Sequence, residues 1–239
     1  MQKIFIDYIP ISSIELDAEQ SRHIAKSLRM KIGDELVAVA PDSMEYCCQI
    51  IEITKENVRL EVCYKRPNAT EPTCKVRIYQ GVPKGDKLED IIQKCTEVGV
   101  TGITPVLMKR SISRPDAKGA AKKNARYRKI ALEAAQQSGR GIVPKIGEQI
   151  TLKQAIASDN SKLKILFYEG GGDKLQDIVS ADTESLSFYI GPEGGFDETE
   201  VELLVNAGAK IATLGPRILR TQTAPVVALS AIMMITDNM

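Results

Sequence analysis

A chain of 239 residues, 43% of them hydrophobic, is long enough for one large domain or two modest ones, each with its own core. A formal net charge of +1 gives no overall attraction to nucleic acid, so any such affinity must come from local clusters of cations. Five cysteines, an odd number with no CxxC pair, argue against a disulfide framework and against a zinc site. They fit a reducing cytoplasm, and the chain shows neither a signal peptide nor an apolar run of the roughly 18 residues a membrane span needs.

Up to about residue 65 the pattern is of short strands, over 4–6, 36–39, 46–53 and 58–62, interrupted by one helix over 18–29 with Asp17 as its cap. Gly33 and Asp34 turn the chain out of that helix. A small β-barrel is the expected result. Residues 65–73 (KRPNATEPT), with two prolines and almost nothing to bury, predict a linker and a domain boundary.

Beyond the boundary, strand and helix alternate. The strand over 75–80 leads to a helix over 87–98, on which Leu88, Ile91, Ile92, Cys95 and Val98 share one face before Gly99 ends it. Further strands are expected at 102–107, 164–168, 186–190 and 210–214, with helices at 122–137, 199–207 and 224–235. Such alternation implies an α/β domain with a mostly parallel sheet.

Positive charge is local. From Lys109 to Arg128 the chain carries Lys109, Arg110, Arg114, Lys118, Lys122, Lys123, Arg126 and Arg128 against a single acid, Asp116. This is either a solvated helix face or a surface for a polyanion. Arg22, His23, Lys26, Arg29 and Lys31 gather on and after the first helix; His23, the one histidine, is either structural or an RNA contact, and a metal site or triad needing a second histidine is excluded.

Two strand ends carry candidate chemistry. The strand over 186–190 runs into Gly191-Pro192-Glu193-Gly194-Gly195-Phe196, and Asp197 with Glu200 then forms a capping box for the next helix. The glycines permit either a tight strand-to-helix turn or the close approach of backbone to a ligand. Neither a Rossmann fingerprint nor a P-loop is present. The strand over 210–214 ends in GPRILRTQTAP, where Thr223 and Pro225 suit the start of a helix, and where Arg217 and Arg220 either neutralise nearby carboxylates or contact phosphate or base. The final helix is apolar around much of its girth, through Val226, Val227, Leu229, Ile232, Met233, Met234 and Ile235, which implies either burial within the domain or a subunit interface.

The strings GPEGGF and LGPRILRTQTAPVVAL, with VPKGDKLEDIIQKCTEVGVTGITP, ALEAAQQSGRGIVPKI and the N-terminal HIAKSLRMKIGDEL, together resemble the RsmE family of SPOUT RNA methyltransferases over nearly the whole chain. The resemblance implies a PUA-like RNA-binding β-barrel over 1–70 and, over 71–239, a SPOUT domain with a deep trefoil knot. It implies S-adenosylmethionine as cofactor and, as partner and substrate, 16S rRNA within the small ribosomal subunit, methylated at N3 of a uridine by a cytoplasmic homodimer. Carried across by residue, Ile190, Gly191, Pro192, Glu193, Gly194 and Gly195 supply one cofactor loop. A second comes from Leu214, Gly215, Arg217, Ile218, Leu219, Arg220 and Thr221, and Phe167 marks a third. Arg220, then Arg217, are the expected catalytic donors. Glu193 is either a general base or an acceptor for a backbone amide.

For RNA the resemblance and the charge pattern point to Arg22, His23, Arg29, Lys109, Arg110, Lys122, Lys123, Arg126 and Arg140. Gln222 stands where relatives have Glu, and Gln2-Lys3-Ile4-Phe5 and Met108-Lys109-Arg110 also depart from the family pattern. Two other readings fit the same residues: a non-catalytic RNA-binding assembly protein, or a SPOUT methyltransferase acting on a different RNA atom.

Overall fold

The computed structural model describes residues 2–54, 57–114 and 117–239; Asp116 lies outside them. The chain forms two compact units, Met1–Glu71 with Gln136–Ile142, and Pro72–Ala135 with Val143–Met239.

The first unit contains β1 (Gln2–Phe5), β2 (Ser13–Glu15), helix α1 (Ala18–Arg22), β3 (Glu35–Val39), β4 (Met44–Ile53) and β5 (Val58–Pro67). The strands form one sheet in the order β1-β3-β4-β5-β2, with β1 and β3 parallel and the other pairs antiparallel. Alternation points Ile4, Ile14, Leu36, Ala38, Tyr46, Cys48, Ile50, Val58 and Leu60 to one side, where they close over Ile24 in a single core to which every strand contributes.

Two local expectations are corrected here. The helix predicted over 18–29 is shorter: Asp17 caps it by accepting from the Gln20 N–H at 2.8 Å, but beyond Arg22 it widens into a π turn over His23–Ser27, and Arg29 takes a left-handed φ of 54°. The predicted linker begins as a strand, although the two units do divide within it, between Glu71 and Pro72. β5 runs on to Pro67, a proline tolerated because this end of β5 pairs with β4 alone, and Asn68 Nδ2 donates to Glu45 at 2.7 Å.

The second unit contains β6 (Lys75–Gly81), α2 (Lys87–Val98), β7 (Gly102–Leu107), most of α3 (Ala117–Gln137), β8 (Lys145–Ile146), β9 (Ile150–Thr151), α4 (Leu152–Ser158), β10 (Leu163–Phe167), β11 (Asp173–Lys174), β12 (Ser185–Ile190), α5 (Glu198–Asn206), β13 (Ala209–Thr213) and α6 (Ala224–Ile235). Its eight-stranded sheet has the order β11-β13-β10-β12-β6-β7-β8, with β9 also paired to β7, and every pair is parallel.

A parallel sheet needs cover on both faces, and the strands alternate accordingly. Ile78, Ile165 and Phe188 face a core built with Leu88, Ile91, Ile92 and Cys95 of α2, Ala131 of α3 and Leu229, Ile232 and Met233 of α6. Tyr79, Leu166 and Tyr189 face the other way, onto Leu152 and Ala155 of α4 and Leu204 of α5. The apolar girth of α6 is therefore only partly covered within the chain: Val227 and Met234 remain 39% and 67% exposed. Among the described residues no helix is long and apolar enough to cross a membrane.

Candidate active site

β10, β12 and β13 run parallel and end at Phe167, Ile190 and Thr213, so the loops that leave them emerge on one edge of the sheet. Ligands bind at this edge in open α/β sheets. The loops enclose a cleft of about 1170 Å³. Its lining brings together Phe167, Ile190, Gly191, Pro192, Glu193, Gly194 and Gly195 with Leu214, Gly215, Arg217, Ile218, Leu219, Arg220 and Thr221.

The lining also contains residues that sequence reasoning missed, among them Lys87, Glu169, Lys174 and Gln176, and it includes Tyr168 beside Phe167 and the atypical Gln222. The third loop had a legible signal in Gly170, Gly171 and Gly172, which follow a strand directly. Lys87 gave none, because tertiary folding alone brings it there.

Close packing and a left-handed φ explain two glycines, one facing the first loop and one within it. A Cβ at Gly81, at the end of β6, would fall 2.6 Å from the nitrogen and Cδ of Pro192. Gly195 has a φ of 68°, and a Cβ there would lie 2.1 Å from Oε1 of Glu169. Its N–H donates to the Pro192 carbonyl at 3.0 Å, closing the turn before Phe196 buries its ring. Asp197 and Glu200 form the predicted capping box of α5, with the Asp197 N–H donating to Glu200 at 3.1 Å.

In the second loop the Gly215 N–H donates to Thr213 Oγ1 at 3.1 Å, and the Arg220 carbonyl accepts from the N–H groups of Thr223 and Ala224 at 2.8 and 2.9 Å. Thr223 stands at the N-cap position of α6 but, contrary to expectation, its side chain makes no capping bond, because its backbone is already helical (φ −90°, ψ −41°). Pro225 occupies the first turn as predicted. The Thr221 hydroxyl, buried, donates to the Gly191 carbonyl at 2.8 Å and so joins the two loops.

Glu193 accepts from the Lys84 N–H at 3.0 Å and from Lys87 Nζ at 2.5 Å. Burial raises its pKa, but the Lys87 hydrogen bond and the bonds from its own amide and that of Lys84 together outweigh it and hold the carboxyl below its ordinary value. Arg217 and Arg220 are exposed on the lining, and among the described residues neither guanidinium enters an ion pair.

The cations predicted to meet RNA are differently situated. Lys109 Nζ pairs with Asp197 at 2.9 Å, Arg126 with Glu89 at 2.6 Å, and Arg110 donates to the Gly194 carbonyl at 3.0 Å. The hydrogen bonds of Lys109, then those of Thr199, lower Asp197 to about 2. Lys122, Arg22, His23 and Arg29 are exposed and Lys123 is half-buried. Arg140 is a correction: expected on an RNA surface, it is 3% exposed, its guanidinium held by Glu71.

Comparison with known proteins gives this geometry a lineage. A family model described as an RNA methyltransferase domain matches residues 70–233, and one described as an RNA methyltransferase PUA domain matches residues 16–63. The ribosomal RNA small subunit methyltransferase E of Bacillus subtilis is 38% identical, the match covering 97% of this chain and 96% of that one. The Neisseria gonorrhoeae enzyme of the same name, solved bound to S-adenosylmethionine, superposes with a TM-score of 0.90 at 28% identity, over 98% of this chain and 97% of that one. A methyltransferase of Legionella pneumophila, solved with the same cofactor, gives 0.89 at 29% identity, over 97% and 96%. The chain belongs to the ribosomal RNA small subunit methyltransferase E family, with an RNA methyltransferase domain preceded by a PUA domain.

Proposed function

We infer that the chain transfers a methyl group from S-adenosylmethionine to N3 of a specific uridine in the 16S rRNA of the small ribosomal subunit, acting as a cytoplasmic homodimer whose second unit is threaded as a trefoil knot. The observation that carries the reading is the convergence of the bends at 190–195 and 214–221 on one cleft at the carboxyl ends of parallel strands. The residues there fit such a cofactor. Gly191, Gly194, Gly195 and Gly215 all line the cleft, so much of its wall is main chain without a side chain to keep a ligand off. At about 1170 Å³ the cleft is larger than the roughly 300–1,000 Å³ of common small-molecule sites, which leaves space for a target base beside the cofactor. Relatives from Neisseria and Legionella are described with S-adenosylmethionine bound.

The cofactor, when bound, supplies a methyl group already activated on a sulfonium centre. What remains for the chain is to align it with the attacking nitrogen and to stabilise the charge that develops. Uracil N3 carries a proton at neutral pH; as that proton passes to solvent water in the open cleft, negative charge spreads over the two flanking carbonyl oxygens. Arg220, with Arg217 second, is our choice for the donor to those oxygens, a contact that strengthens as charge accumulates and so favours the transition state. We read Glu193 as an acceptor that holds the Lys84 amide and Lys87 rather than as the base, its Oε1 accepting from both.

The target nucleotide is unpaired or turned out of its stack. Arg22, His23 and Arg29 on the first unit, and Lys122, Lys123, Lys109, Arg110 and Arg126 on the second, are the RNA contacts we assign. Exposure of Val227 and Met234, two turns apart on α6, supports a self-complementary helix contact in the dimer. The test is nucleoside mass spectrometry of 16S rRNA from cells with and without the gene. The reading predicts that 3-methyluridine disappears in the deletion and returns on complementation; an unchanged level would remove it.

A further inference from the structure

We propose that Gln80 is the positioning residue that holds the two cofactor loops in register; the inference rests on the reading of the cleft given above. Gln80 lies in β6 behind the cleft wall, with no exposed surface. Its Nε2 donates to Thr221 Oγ1 at 3.1 Å and to the Gly81 carbonyl at 3.0 Å, and lies 3.5 Å from the Gly191 carbonyl. Thr221 Oγ1 donates in turn to that Gly191 carbonyl at 2.8 Å. One amide thereby ties the end of β6 to loops 111 and 141 residues further along the chain.

Physical chemistry makes this a specific arrangement. Neighbouring positions of β6 are filled by Val76, Ile78 and Tyr79, all buried, and a glutamine among them costs about 1–3 kcal/mol if its polar group goes unpaired. The Nε2 hydrogen bonds are met on the two segments that the cofactor must bridge, whereas Oε1 is buried with no hydrogen-bond partner among the described residues, so the amide is held here by its donor side alone. Removing the carbonyl of Gly191 from its two donors lets each loop move without the other, and a ligand gripped by the main chain of both then loses its fixed geometry.

The relay is tested with Gln80→Leu, which keeps the side chain's approximate size and its burial, with the isosteric Thr221→Val, and with the double variant. Calorimetric titration of the full-length protein with S-adenosylmethionine reads the cofactor, and amide hydrogen exchange of the protein alone reads the loops. Each single variant is expected to weaken cofactor binding about tenfold. The double variant is expected to bind no more weakly than the poorer single, because both cut the same connection. Exchange should accelerate together at the Gly195 amide and at the Thr223 and Ala224 amides while those of α2 stay protected, a pattern that general destabilisation does not give. Wild-type affinity in both single variants, additive losses in the double, or faster exchange spread over the whole unit would overturn the relay. Since exchange needs no cofactor, a wild-type protein that fails to bind S-adenosylmethionine counts against the proposed function alone.

Discussion

Arg140 donates from Nε and Nη2 to the two carboxylate oxygens of Glu71, at 2.8 and 2.7 Å, across 69 residues of chain. Glu71 Oε1 also accepts from the Gly141 N–H at 2.7 Å, so one carboxylate organises the whole turn at 140–142 within the first unit. Because Arg140 is buried, replacing it by alanine leaves a carboxylate without its cation. The expected loss is about 1–3 kcal/mol, since the carboxylate keeps two backbone donors, and urea unfolding measures it. A neutral Arg140→Ala would show the pair to be unimportant.

That pair also shows where sequence reading stops. Helices α2 and α6 were legible to the residue, because Leu88, Ile91, Ile92 and Cys95 recur with helical period and Pro225 marks a helix start. The central strands were legible too, as apolar runs that a two-sided parallel sheet requires. The two-residue strands β8, β9 and β11 were not, since they exist only through pairing with distant partners. The segment at 65–73 read as a linker because its polar residues are satisfied by Glu45 and Arg140, which nothing local reveals. The two glycine bends were visible as motifs; that Lys87 holds Glu193 was not, for the two stand 106 positions apart and meet only when the chain folds back.

Arg220 should be required for chemistry and dispensable for folding. Its side chain is exposed and outside any ion pair among the described residues, so Arg220→Ala should leave the unfolding midpoint unchanged. Single-turnover methylation should fall by about 10² or more, the effect of removing one donor to a developing anion, with Arg217→Ala giving a smaller loss. Equal rates for wild type and Arg220→Ala would refute the role.

Glu193 offers the opposite expectation. With its carboxylate committed to Lys84 and Lys87, Glu193→Gln should retain the amide contact and keep turnover within about tenfold of wild type. The rate should show the same dependence on pH in both proteins. A loss of about 10²–10⁴, together with disappearance of an acidic limb from the profile, would make it a general base after all.

Asp197 predicts a pH-dependent stability. Lys109 and Thr199 lower its folded-state pKa from 3.8 to about 2, so it adds stability above 3.8 that fades as pH falls toward 2. Wild type should therefore unfold later than Asp197→Asn at neutral pH, with the gap closing in acid. A gap that persists unchanged at pH values below the folded-state pKa would exclude the carboxylate as its source.

The crowding at Gly81 bears on the cleft itself. An added methyl would stand 2.6 Å from Pro192 backbone nitrogen, so Gly81→Ala must displace the 191–195 loop, with an overpacking cost of about 1–3 kcal/mol. In the proposed function this loop and the bend at 214–221 together hold the methyl donor. Titrating the wild-type and Gly81→Ala proteins with S-adenosylmethionine in a calorimeter tests it most directly. The predicted result is saturable heat with one cofactor per chain in the wild type and a markedly weaker isotherm in the variant; absence of heat from the wild type at millimolar cofactor would contradict it.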